Sequence, residues 1–90
     1  MGLAIVEILM AIEDHFGIIV PEQGASKCIT VADLQMEIVN LLVQKGRQRS
    51  TQLETEVYRD LVKIIVDQTG LKPADISSES HWVGDITNYG

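Results

Sequence analysis

Aromatic side chains make up only 4% of this chain, and cysteine appears once. So few aromatics leave the core to isoleucine, leucine and valine, which suits interdigitating helices better than an aromatic-rich sandwich. The lone Cys28 has no second thiol for a disulfide and no paired histidines for a metal site, so it reads as a small buried hydrophobe. No apolar run reaches the ~18 residues that a membrane span needs. No basic leader with a small-residue cleavage site opens the sequence, and Val6 stands where a myristoylation signal would carry a hydroxyl. A cytoplasmic protein is expected.

Positive charge is scarce as well. Seven Lys and Arg face thirteen Asp and Glu, for a net charge of -6, which argues against nucleic acid or an anionic membrane surface as partner. A basic protein surface is the natural complement. The usual signatures of catalysis are missing too: no glycine-rich phosphate loop, no dinucleotide fingerprint and no paired acidic metal motif. His15 and His81 fall in no nucleophile-and-base motif. The expectation is a binding protein with no catalytic residues and no metal.

What is present is a 46% hydrophobic chain of 90 residues, enough for one domain with one core. Three segments carry helical periodicity. Leu3 to Phe16 is the first, stopped by Gly17, after which Ile18, Ile19 and Val20 are drawn into an extended path by Pro21. Thr30 and Asp33 form a variant capping box that opens the second helix, with Val31, Leu34, Ile38, Leu41 and Leu42 on one face and an end near Lys45 and Gly46. Gly46 to Glu56 (GRQRSTQLETE) is polar, carries the basic pair Arg47 and Arg49, and reads as a solvated linker. The third helix runs from near Leu53 to Thr69, with Val57, Leu61, Ile64 and Ile65 at helical spacing and Gly70 closing it. A loop follows through Pro73, Ile76 and Trp82, in which Ser77, Ser78 and Ser80 are assigned turn and capping roles.

The first helix has two apolar stripes. At ~100° per residue, Ile5, Ile8, Leu9, Ile12 and Phe16 fall in one arc, the core face. Leu3, Val6, Glu7, Met10, Glu13 and Asp14 fall in the opposite one. A helix that served only as a bundle wall has little reason to mix three apolar residues with three carboxylates on its outer side. These six residues are the candidate partner-binding face; the alternative is that Leu3, Val6 and Met10 pack against another part of the same chain.

Val6 to Ile18 (VEILMAIEDHFGI), with Ile19 to Glu22 (IVPE) after it, resembles the second helix and following loop of the acyl carrier protein family, the phosphopantetheine-binding carrier domains. The likeness continues through Ile29 to Leu34 (ITVADL), which is similar to the start of that family's last helix. Val62 to Pro73 (VKIIVDQTGLKP), then Ile76 and Trp82 to Ile86 (WVGDI), resemble the family's first helix and long first loop. The family runs these pieces in the opposite order. The resemblance therefore implies an all-α, acyl-carrier-like bundle of three main helices and a short one, in circularly permuted order. Residues 1–45 stand for the second to last helices, 46–56 for the linker and 57–90 for the first helix and loop, all in one domain. Extended, such a linker spans ~35 Å, more than a globule with a gyration radius of ~12 Å requires. A domain-swapped homodimer is a second way to satisfy the same order.

In that family a serine at the start of the second helix bears a 4'-phosphopantetheine arm. Aligned from Leu3 and Glu7 that position falls on Gly2, and aligned through Asp85 it falls on Gly90; neither has a hydroxyl. Thr87, near the second position, is followed by Asn88 and does not restore the motif. The expected function is thus a carrier-like docking or regulatory module with no cofactor of its own, directed at the basic surface of a carrier-recognising enzyme. Two alternatives stand beside it. One is a working carrier of fatty acid, polyketide or peptide biosynthesis, modified at an atypical hydroxyl or completed by a partner chain. The other is a structural helical dimer.

Overall fold

The structure, a computed structural model, describes residues 2–82, with side chains from residue 5 onward. Four helices follow one another as α1 (Gly2–Phe16), α2 (Glu22–Ser26), α3 (Val31–Gln44) and α4 (Thr51–Thr69), and a 3-10 turn, Pro73–Asp75, follows α4. Among the described residues there is no strand, only one isolated bridge between Thr30 and His81. The all-α expectation is met, and α2 is the short element beside three long ones.

The helix ends are set by local chemistry. Gly17 (φ 67) and Gly70 (φ 79) take the left-handed backbone that lets a helix turn away without a Cβ clash, and each amide N–H closes on the carbonyl four residues back, at 2.9 Å. At the start of α3, Thr30 Oγ1 accepts the Asp33 N–H at 3.1 Å, while Asp33 Oδ2 accepts the N–H groups of Thr30 (3.1 Å) and Ile29 (3.0 Å). This is the capping box expected from the sequence.

Two of the remaining free donors on that helix end are met from far along the chain. Val31 N–H donates to the Ser80 carbonyl at 2.8 Å and Ala32 N–H to the Ser78 carbonyl at 2.9 Å. The segment from Ser77 to Trp82 thus lies across the N-terminus of α3 like a clasp. Its own turn is held by Ser80 Oγ, which accepts the Ser77 N–H at 3.0 Å. Trp82 fixes the end: it is 1% exposed, and its indole N–H donates to the Cys28 carbonyl at 2.9 Å.

One cluster of buried side chains joins all these pieces. Helix α4 packs against both α3 and α1. It contributes Leu53, Val57, Leu61, Ile64 and Ile65, which meet Ile8 and Ile12 of α1 and Leu34, Ile38 and Leu42 of α3 within that cluster. Each such side chain gains about 1.5–3 kcal/mol by leaving water. Cys28 is buried among them, as expected, and burial first, then the nearby Glu37 and Asp33 carboxylates, push its thiol up to about 11. The radius of gyration is 12.1 Å.

Two expectations need adjusting. Helix α4 begins at Thr51, inside the stretch 46–56 expected to be a linker, so the connection between α3 and α4 is only Lys45 to Ser50. The reason is a cap and an anchor: Ser50 Oγ accepts the Leu53 N–H at 3.0 Å, and Leu53, 3% exposed, pulls the first turn onto the core. The charges that made this stretch look like linker lie on its outside, where Arg49 pairs with Glu54 (3.8 Å) and Arg47 with Glu56 (3.7 Å). On α3 the buried face includes Val39 at 0% exposure, and Leu41, expected inside, is only half-buried. Helix α3 presents its arc to both α2 and α4, so its apolar side is wider than one stripe.

Candidate functional site

The two faces of α1 divide as its sequence implies. Ile8 and Ile12 are fully buried, and Ile5, Leu9 and Phe16 are half-buried against the same cluster. On the other side Val6 is 48% and Met10 62% exposed, and Glu7 and Asp14 are exposed as well. Leu3, the sixth residue of the stripe, lies outside the described side chains, so no packing is assigned to it.

Glu13 does something different from its neighbours on the stripe. It is half-buried, and its Oε2 accepts the Val20 N–H at 2.9 Å. Its carboxylate therefore holds the chain leaving α1. The same turn is tied at two more points: Ile18 N–H donates to the Glu13 carbonyl at 3.2 Å, and Lys45 Nζ, from the end of α3, donates to the Gly17 carbonyl. With the backbone fixed and extended, side chains alternate. Ile18 (4% exposed) and Val20 (7%) point into the core, and Ile19 points out at 79%.

Ile19 thereby becomes a wall of the same surface. A shallow open groove is lined by Glu7, Met10, Ala11 and Asp14 of α1, by Ile19 and by Gln68 near the end of α4. Every charged side chain that lines it is acidic. Met10 and Ile19, both exposed, line it together with the carboxylates, so the groove joins apolar surface to acidic charge. The stripe read from α1 omitted Ile19 and Gln68. The uniformly apolar run Ile18, Ile19 and Val20 did not single out Ile19, and nothing local held a signal for Gln68, which arrives from the far end of α4.

The other titratable groups serve as ties between elements. His15 Nε2 lies 3.2 Å from Asp60 Oδ2, linking α1 to α4, and Arg59 Nε is 3.4 Å from Asp60 Oδ1. Partial burial pushes the Asp60 carboxyl up, but the hydrogen bonds and charges of His15 and Arg59 outweigh it and hold the group below the usual carboxylate range. Asp33 is also held low, by the Thr30 and Ile29 N–H groups of the capping box. His81 sits in the bridge to Thr30, within the clasp. Among the described residues no cluster of His, Cys, Asp and Glu is placed to hold a metal, and no helix is long and apolar enough to cross a membrane.

The position that the family resemblance gives to the phosphopantetheine arm falls on Gly2, the first residue of α1, or on Gly90, outside the described residues along with Thr87. A glycine has no side-chain oxygen with which to form a phosphodiester. The residue present at the head of α1 does not fit that group. Comparison of the chain with protein-family models, with curated proteins and with solved structures found no match.

Proposed function

We propose that the chain is a carrier-like docking module, binding a carrier-recognising enzyme through the outer face of α1 without bearing a prosthetic arm or catalysing a reaction itself. The observation that carries the reading is the exposed apolar pair Val6 and Met10, flanked by Glu7 and Asp14, on a helix whose opposite face is already fully used by the core. Exposures of 48% for Val6 and 62% for Met10 support this reading over burial of the stripe against another part of the chain.

The carrier likeness is supported by the series of elements. A long helix ends in Gly17, a Pro-bearing connection leads to a short helix, and a Thr-capped helix follows. The remaining long helix, α4, is followed by a loop with a 3-10 turn that leads to a buried tryptophan. In this reading the short connection from Lys45 to Ser50 joins what are the ordinary ends of a carrier. A basic surface is the complementary partner for a net charge of -6. The cytoplasm, where a single thiol such as Cys28 stays reduced, is the compartment this reading assumes.

Two measurements test it. Met10→Glu should abolish binding to a carrier-recognising enzyme, such as a phosphopantetheinyl transferase, and leave the far-UV circular dichroism unchanged; loss of helicity would make Met10 part of the fold. Intact mass after incubation with coenzyme A and that transferase should stay constant. A gain of one phosphopantetheinyl group would replace the docking module with a working carrier.

A further inference from the structure

Ile19 is the most exposed of the large hydrophobic residues among those described, and it stands on the loop after α1, off the helix that carries the rest of the docking face. Its outward position is not slack. Glu13, the Gly17 turn and Lys45 fix the backbone on either side of it, and Ile18 and Val20 are locked into the core. A β-branched side chain on a fixed backbone, lining the same groove as Met10, has little freedom left to lose when a partner is seated there.

The charges around the groove give that something a shape. Glu7 lies three residues before Met10 and Asp14 four residues after it, so along α1 the two carboxylates are about 10 Å apart with the apolar slot between them. A second helix laid along α1 at a shallow crossing angle keeps this spacing on its own surface. It would need one apolar side chain opposite Met10 and Ile19, and one cation about a turn away on each side to meet Glu7 and Asp14. Every charged residue lining the groove is acidic, so an acidic or neutral helix finds no matching charge there.

We propose that the groove between Met10 and Ile19 seats a single apolar side chain on a basic amphipathic helix of a partner protein, and that Ile19 decides which side chain is accepted. The proposal rests on the docking function above, but moves the discrimination from α1 to the loop that follows it. Charge on α1 brings the partner in; Ile19 reads it.

The test uses two synthetic helical peptides with the same lysines one turn either side of a central position, which is Leu in one and Ala in the other. Each is titrated by calorimetry, near physiological salt, against the full chain and against Ile19→Ser and Ile29→Ser. Ile29 is also an exposed isoleucine, at 60%, on another loop. The Leu peptide should bind about tenfold more tightly than the Ala peptide, as one buried side chain of that size warrants. That preference should vanish in Ile19→Ser, persist in Ile29→Ser, and be accompanied by unchanged circular dichroism in both.

Equal binding of the two peptides to the unmodified chain overturns the proposal, as does a preference that survives Ile19→Ser or that Ile29→Ser removes. Self-association in sedimentation equilibrium that Ile19→Ser abolishes would also overturn it, by giving the groove to a second copy of the chain. The two readings fail separately. An Ile19-dependent preference in a chain that no carrier-recognising enzyme binds keeps the groove and removes the proposed function. Enzyme binding indifferent to Ile19→Ser keeps the function and removes the groove's role.

Discussion

Trp82, Thr30 and the two low carboxylates each hold the fold through a nameable contact. Trp82 fills the core beneath the clasp, and its indole N–H is the buried partner of the Cys28 carbonyl. Trp82→Ala should cost about 3–5 kcal/mol in urea unfolding, the range for emptying a large aromatic site. Thr30→Ala removes one half of the capping box and should cost about 1 kcal/mol by the same measurement. The acid limb of stability follows from Asp33 and Asp60, whose folded carboxyls lie below the ordinary aspartate range. A depressed carboxyl stabilises the fold above its unfolded pKa and stops doing so as pH falls through the folded one. The urea midpoint should therefore hold from neutrality down to about pH 5 and fall below about pH 4. In the double variant Asp33→Asn/Asp60→Asn this acid fall should be shallower.

At the scale of elements, α1 offers an internal comparison. Ile12 and Met10 are two residues apart on one helix, one at 0% exposure and the other at 62%. Ile12→Ala should destabilise by about 2–5 kcal/mol, and Met10→Ala by no more than about 0.5 kcal/mol, in parallel urea titrations. Comparable losses at both sites would mean that the outer stripe is core. This division was legible in the sequence because an amphipathic helix repeats every 3.6 residues, and both arcs of α1 keep that period over about three turns. The capping box at Thr30 was legible for a related reason: its partners are three residues apart. Helix α2, by contrast, is a five-residue turn containing Gly24, too short for any period to show, and it was anticipated only as a short element without a place. The start of α4 near Leu53 was legible to within a turn, but the linker was drawn too long because Leu53 is one buried apolar residue among charges.

The molecule as a whole shows the same limit at longer range. The groove needs Ile19 from one loop and Gln68 from the far end of α4; the clasp needs Ser78 and Ser80 to find the amides of Ala32 and Val31. Such pairings are fixed by tertiary packing, and no local pattern announces them. Helix α4, meanwhile, is tied to α3 and α1 by Leu53, Val57, Leu61, Ile64 and Ile65, while its covalent link to α3 is a short exposed segment carrying Arg47 and Arg49. That segment adds few contacts of its own. Its thermodynamic role is to keep the two halves of the chain at a high effective concentration toward each other. Brief trypsin treatment should cut there first, and the nicked product should migrate as one 10.0 kDa particle in native mass spectrometry. Unlike the intact chain, its melting temperature should then drop on dilution, because folding has become a bimolecular event.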